Sequence, residues 1–267
     1  MIMMRINRID YSNENTPILY DREIDEFARD VLADYKPNLL REPGAIRFEH
    51  FLESYLGVTI MCKDIYNEDP ERPIFGMTVF RNGTVKVFDR ENNRVRNIIV
   101  RANTVILDNF VMEPGREGLA LFTGLHEGGH ILIHSGVYDT FRVGQICCRR
   151  ENVENNGGKW QQRTAFDWRE HQADYFAAAL AMPNATFMPF VNHFLRENGI
   201  WKNCIVLGYD DDMDIFAQEL LPERISEVYG VSKRAASIKL KKSGFVSDMQ
   251  PYQKWEKNKF SNEFNVY

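Results

Sequence analysis

The sequence predicts an α+β protein: a small, mostly antiparallel sheet packed on a long helix and a second helix, followed by a helical C-terminal region. Three observations carry this expectation. Short runs rich in Val, Ile, Phe and Thr fill much of residues 58–111, which is strand-like composition. Apolar residues recur at helical spacing before and after that stretch. The chain of 267 residues, 44% hydrophobic and 27% charged, is long enough to bury a core without crosslinks.

The elements follow in chain order. Asp21 to Tyr35 puts Ile24, Phe27, Ala28, Val31 and Leu32 on one face and reads as an amphipathic helix. Residues 47–57 read as a short helix stopped by Gly57, and residues 58–62 as a strand. Strands over 74–80 and 84–88 flank Arg81-Asn82-Gly83, whose Asn-Gly predicts a tight hairpin, because a type I′ turn needs positive φ at both central positions. A further strand is expected within 104–111. Residues 116–134 form a proline-free helix, followed by a polar connection over 135–164 that is expected to act as a lid or a subsite wall. The next helix, 165–182, ends at Pro183, and residues 183–199 add a helical turn or two capped by Gly199. An acidic loop, Asp210 to Asp212, leads to two short helices joined around Gly230-Val231-Ser232.

Bulk properties narrow the function classes. A formal charge of −5 argues against a dedicated nucleic-acid binder, which needs a surplus of clustered cations. The first residues lack an apolar signal region, and no run approaches the roughly 18–20 apolar residues of a membrane helix. A soluble, cytoplasmic protein is expected. Cys62, Cys147, Cys148 and Cys204 lack the spacing of a disulfide framework or a zinc knuckle and are expected to be free thiols.

The chemistry concentrates in His126-Glu127-Gly128-Gly129-His130. Histidines four apart project from one helix face, so their imidazoles can converge on one tetrahedral zinc ion. Glu127 lies about 100° further round the helix, which sets a carboxylate beside the metal rather than on it and suits a catalytic general base. Gly128 and Gly129 each cost the helix about 1 kcal/mol relative to Ala, which makes sense where a neighbouring backbone packs closely. A catalytic zinc takes a third protein ligand, and Glu170 is the candidate. Asp174, four residues on, shares its face and can accept a hydrogen bond from a ligand histidine.

These residues resemble the ImmA/IrrE family of metallo-endopeptidases. The resemblance rests on Phe122-Thr123-Gly124-Leu125-His126-Glu127-Gly128-Gly129-His130 and on Glu170 to Pro183 with its Ala173, Phe176-Ala177-Ala178, Leu180 and Met182-Pro183. Val231-Ser232, Ala235 and Lys239-Leu240 echo the family's downstream helix pair. The match spans about residues 20–245, with Leu121, Gly128 and Ala181 departing from the family's usual residues. It implies a gluzincin-type zinc peptidase with His126, His130 and Glu170 as ligands and Glu127 as base. It also implies an intracellular protein substrate, a helix-turn-helix repressor of mobile elements or stress responses. On this reading residues 1–200 form the peptidase domain, 201–245 a helix-turn-helix-like region and 246–267 a polar tail. A catalytically silent zinc scaffold that binds a repressor or DNA through its C-terminal helices is the alternative.

Other polar residues have plainer expectations. His134 continues the histidine series roughly 6 Å beyond His130 along the axis and is expected to support the ligands from behind or to pack. His171 is expected at the surface or the site rim, with an oxyanion role as its functional reading, and Tyr175 shares that ambiguity. His50 and His193 read as surface or packing residues, and Phe176, Ala177, Ala179 and Leu180 as core. Lys233, Arg234, Lys239, Lys241 and Lys242 have the size and turn of a DNA-recognition helix, but with the chain's negative charge they read first as a solvated basic face or a docking surface for an acidic partner.

Overall fold

A computed structural model describes residues 10–11, 16–69, 71–141, 145–149 and 164–249. Strands β1 (Asp10–Tyr11) and β2 (Pro17–Ile18) precede α1 (Asp21–Tyr35). A short helix, α2 (Phe48–His50), continues as a π-helical turn through Tyr55. Strands β3 (Thr59–Lys63), β4 (Ile74–Val79), β5 (Gly83–Asp89), β6 (Arg94–Val100) and β7 (Thr104–Asp108) follow. Next come α3 (Glu117–Phe141), β8 (Gln145–Arg149), α4 (Ala165–Ala181) and α5 (Asn184–Glu197). The C-terminal part contains β9 (Ile205–Leu207), α6 (Asp211–Ile215), α7 (Leu221–Tyr229), α8 (Lys233–Lys242) and β10 (Val246–Asp248).

The α+β expectation is met. The main sheet has the order β3-β7-β4-β8, with β3 parallel to β7 and the other pairs antiparallel. Its central strand β7 is apolar on both faces, as a strand covered on both sides must be. Val105 and Leu107 join the core cluster on the helical side, whereas Ile106 faces Val85, Val87 and Val100 of a separate two-stranded ribbon, β5-β6. The molecule is therefore layered as helices, sheet and ribbon.

Several boundaries differ from the sequence expectation. Strands β4 and β5 do not pair with each other across Asn82-Gly83: β4 pairs with β7 and β8, and β5 pairs with β6. Gly83 is absent from the positive-φ residues, so the I′ turn is not formed there, and the ribbon instead turns next to Asn93 at φ 46°. Helix α3 runs seven residues past His134, and part of the expected polar connection forms β8, the edge strand beside β4. The acidic stretch is not a loop: the Asp210 side chain caps α6 by accepting from the Asp212 and Met213 amides. Helix α5 is 14 residues long rather than a turn or two.

Glycines decide how closely the helices approach. A Cβ on Gly129 would lie 3.2 Å from the Ala173 Cα, so α3 and α4 cross in near-backbone contact. At Gly128 the neighbour is a side chain, Phe51 at 2.9 Å, not the expected backbone. Gly118 lies against the turn between α7 and α8, where an added Cβ would meet the Ser232 nitrogen at 2.5 Å. That turn is built by Gly230 in the left-handed region, φ 68°, and by Ser232, whose hydroxyl caps α8. Buried Leu221, Ile225, Tyr229, Ala236 and Leu240 share one core with α1, α3 and α4. Among the described residues no helix is long and apolar enough to cross a membrane.

Gly118 and Gly136 make a matched test, because nothing lies within 4 Å of a Cβ added at Gly136. Gly136→Ala is expected to stabilise the protein by about 0.5–1 kcal/mol through helix propensity. Gly118→Ala is expected to destabilise it by roughly 1–3 kcal/mol through overpacking. Urea denaturation of the two variants checks this; equal midpoints would show that the α7–α8 turn does not press on α3.

Candidate metal centre

Helix α3 presents His126 and His130 toward α4, and the crossing at Gly129 brings Glu170 opposite them. The Nε2 atoms of the two histidines are 2.9 Å apart. Glu170 Oε2 lies 3.5 Å from His126 Nε2, and Oε1 lies 3.4 Å from His130 Nε2. All three residues are buried, and their ligand atoms lie within 4.8 Å of one another. Two donors bound at 2.0–2.1 Å in a tetrahedron sit about 3.3 Å apart, so this spacing is that of three ligands to one small cation. These residues can hold a metal ion.

The atoms behind the ligands fix where their protons sit. His126 Nδ1 is 2.8 Å from Asp174 Oδ1 and donates to it, which leaves the Nε2 lone pair directed at the site. His130 Nδ1 lies 3.0 Å from His134 Nδ1, His134 Nε2 lies 2.8 Å from Gln172 Oε1, and Gln172 Nε2 donates to the Pro17 carbonyl at 2.7 Å. The carbonyl at the end can only accept, so the Gln172 amide must present its oxygen to His134. His134 therefore donates from Nε2 and accepts at Nδ1, and His130 donates from Nδ1. Its Nε2 lone pair then also faces the site. Burial pushes the pKa of His134 well below that of a free imidazole, and burial likewise lowers that of His130, in keeping with neutral rings. Burial works to raise the Glu170 pKa, and contact with His130 and His126 outweighs it to hold the carboxyl below the usual range only while those rings carry a proton on the facing nitrogen. Two lone pairs and a carboxylate aimed at one point are mutually repulsive until a cation joins them.

Glu127 stands beside this set without belonging to it. Its Oε2 accepts a 2.6 Å hydrogen bond from the Thr78 hydroxyl on β4, whereas its Oε1 is buried and has no hydrogen-bond partner. Burial raises the Glu127 carboxyl to about 7, against the lowering effects of His126 and Thr78. The strand approaches so closely that a Cβ on Gly76 would lie 2.7 Å from Glu127 Oε1. A register shift between Ile74 and Gly76 marks a bulge at this point of the β4-β8 pair, a device that commonly re-aims side chains next to functional sites.

The structure thus brings together His126, Glu127, His130, Glu170, Asp174 and His134. His171 and Tyr175 belong elsewhere: His171 is buried, not at the rim, with Nε2 2.9 Å from Asp21, and the Tyr175 hydroxyl donates to Asp25. Both fasten α4 to α1, which covers that side of the helix. His50 contacts the Tyr35 hydroxyl and His193 pairs with Glu197, both in exposed positions. Cys62 and Cys204 are free thiols; the Cys147 and Cys148 side chains lie outside the described residues. Sequence reasoning missed Gly76, Thr78 and Gln172. Gln172 sits inside the Glu170-to-Asp174 run and its spacing two residues from each end offered a signal, but nothing local marks Gly76 or Thr78. No protein-family model matches the chain, and a search of curated proteins returns no match.

The outer partners have a measurable share in metal affinity. His126→Ala and His130→Ala are expected to abolish metal binding. Asp174→Ala and His134→Phe are each expected to weaken it by about 10–100-fold, measured by chelator competition on folded protein; unchanged affinity in both would show that these partners do not set the ligands.

Proposed function

We infer that the chain is a zinc-dependent peptidase of the gluzincin type, in which His126, His130 and Glu170 hold the ion and Glu127 is the general base. The observation that carries this reading is the divided environment of Glu127. One oxygen is anchored by Thr78, while the other is buried, unpartnered and next to the ligand set. A structural zinc site closes with four protein ligands, whereas a catalytic one uses three, the number that converges here. Two histidines and a carboxylate also serve non-haem iron. A poised carboxylate outside the ligand set favours hydrolysis.

The bound ion supplies Lewis acidity, polarising a substrate carbonyl and acidifying water. The remaining steps belong to the protein. Glu127 takes the proton of the attacking water at Oε1 as the new C–O bond forms, and it returns that proton to the amine nitrogen as the C–N bond breaks. Burial, which favours the protonated carboxyl, makes Glu127 able to hold the proton between the two transfers. Thr78 holds the carboxylate in one rotamer so that Oε1 keeps its aim. Asp174 and the His134-Gln172 chain keep the histidines in the tautomer that offers Nε2.

The resemblance to the ImmA/IrrE peptidases supports a repressor-type transcription regulator as substrate. A scaffold that merely holds metal would have no use for Glu127 with an open oxygen, and this feature separates the two readings.

Glu127→Gln is expected to keep stoichiometric metal and lose about 10²–10⁴-fold in cleavage rate. Co-expression with a panel of helix-turn-helix repressors, followed by mass spectrometry of fragments, reads the rate loss. Undiminished cleavage by the variant would sink the assigned role, and a metal-loaded wild-type chain that yields no fragments would favour the scaffold.

A further inference from the structure

Both oxygens of Glu127 are bordered by one strand, β4: Thr78 donates to Oε2, and Gly76 lies where an added Cβ would crowd Oε1. On one side β4 pairs with β7 over Gly76–Val79. On the other it pairs antiparallel with β8, which sets Ile146 opposite Thr78, Cys147 opposite Met77 and Cys148 opposite Gly76. Among the described residues β8 is the edge of the sheet on this side. In sequence it lies between α3 and α4, the two helices that carry the metal-binding group.

A peptide bond that Glu127 helps to hydrolyse needs much the same place. A base reaches its water at about 2.6–3.2 Å and the water reaches the carbonyl at about 3–3.5 Å, so the scissile carbonyl lies roughly 6 Å from Oε1. Adjacent strands are about 4.8 Å apart, and β4 itself touches the carboxylate. The carbonyl therefore belongs to a chain running beside β4. An extended peptide also needs partners for its backbone N–H and C=O groups, which a sheet edge supplies. The edge of β4 meets both conditions, and β8 fills it.

Two features distinguish β8 from a strand on which the sheet depends. β4 keeps its ladder with β7 whether or not β8 is paired. The β4–β8 ladder also breaks register between Ile74 and Gly76, where β4 borders Glu127, whereas β4–β7 runs through Gly76–Val79 without a shift.

We propose that β8 is an internal stand-in for substrate, which holds the strand-pairing edge of β4 and keeps the chain latent until that edge is freed. This rests on the peptidase reading and adds its regulation. Because β8 begins within a few residues of the end of α3, it competes as a tethered ligand, at an effective concentration on the order of mM. The apparent affinity for an incoming peptide falls in proportion to the fraction of chains whose edge is open. Displacement exchanges one set of backbone hydrogen bonds for another and needs no covalent step.

The test uses the full metal-loaded chain carrying Glu127→Gln, with and without replacement of residues 145–149 by alternating Gly and Ser. The probe is a labelled, end-blocked peptide of residues 143–151 carrying Cys147→Ser and Cys148→Ser. By fluorescence anisotropy it is expected to bind the replaced chain at least about tenfold more tightly than the unreplaced one. The same peptide carrying Ile146→Pro and Cys147→Pro, which lacks two consecutive backbone donors, is expected to bind neither. Equal or weaker binding to the replaced chain overturns the proposal, because β8 would then be a fixed wall or itself the docking edge. On the unreplaced chain, β8 amides are expected to exchange with deuterium at least about tenfold faster than those of β3, the other edge of the same sheet. Equal protection overturns the proposal without relying on the replaced chain to fold. Casein hydrolysis by the two chains with Glu127 intact separates this from the peptidase reading. Peptide binding gained on replacement with no cleavage by either chain keeps the stand-in and removes the peptidase, and equal cleavage by both does the reverse.

Discussion

The near-backbone contact of Gly129 with Ala173 is the constraint on which the rest of the structure depends. His126 and His130 flank it on one helix, and Glu170 and Asp174 flank it on the other. A larger residue at 129 would hold α4 away and carry Glu170 out of the 3.4–3.5 Å range of the histidine nitrogens. The two glycines of the motif cost α3 about 2 kcal/mol in helix propensity. Burial offsets that cost, because Phe51 packs at Gly128, Phe48 packs at Gly124, and Phe176 meets the Gly129 face. The face opposite the ligands is thereby sealed by α2. On the far side of α4, the links His171–Asp21 and Tyr175–Asp25 fix it to α1.

The legible and illegible parts of the sequence divide along a physical line. Helix periodicity is local, so the α1 boundaries, the His126–His130 pair and the Glu170–Asp174 pair followed directly from spacing. Strand partnership is not local. Arg81-Asn82-Gly83 carries good turn chemistry, yet β4 lies inside the main sheet and β5 pairs with β6, a strand whose exposed, charged residues Arg94 and Arg96 masked it. His171 looked like a surface residue because nothing in its own helix shows that α1 covers it. Thr78 is invisible for a related reason: its role comes from a contact across 49 positions of sequence. The extension of α3 past His134 was hidden by Ser135 and Gly136, although Val137 and Tyr138 just beyond them are buried against Phe80.

Burying three carboxylates and three imidazoles around one point is expensive, and the arrangement limits the cost by making the hydrogen bonds directional. The Pro17 carbonyl can only accept, and this single fact sets Gln172, His134 and His130 in turn. On the other branch the Asp174 carboxylate sets His126. Each ligand nitrogen is thus oriented by a group that cannot reverse its role, and the protonation pattern does not depend on solvent. Glu127 escapes this scheme on one oxygen only. The Glu127 Oε1 atom keeps unsatisfied hydrogen-bonding capacity beside the ligand set, and a buried polar atom of that kind calls for a physical explanation.

Helix α3 also links a groove, lined by Phe75, Phe110, Leu119 and Phe122 among others, to the His126–His130–Glu170 group. Its first turn, at Gly118 and Leu119, forms part of the groove and receives the α7–α8 turn; its middle carries His126, Glu127 and His130; its last turns lead to the strand at the edge of the sheet. A helix rises by a fixed 1.5 Å per residue, so the distance from the groove to His126 and His130 cannot drift without breaking the helix. The C-terminal helices gain a definite position by the same means, because Ser232 at the start of α8 rests on Gly118 and Lys239, two turns on, reaches the groove wall. A segment that follows the sheet, α3 and α4 in sequence thus completes the wall of a groove beside the His126–His130–Glu170 group.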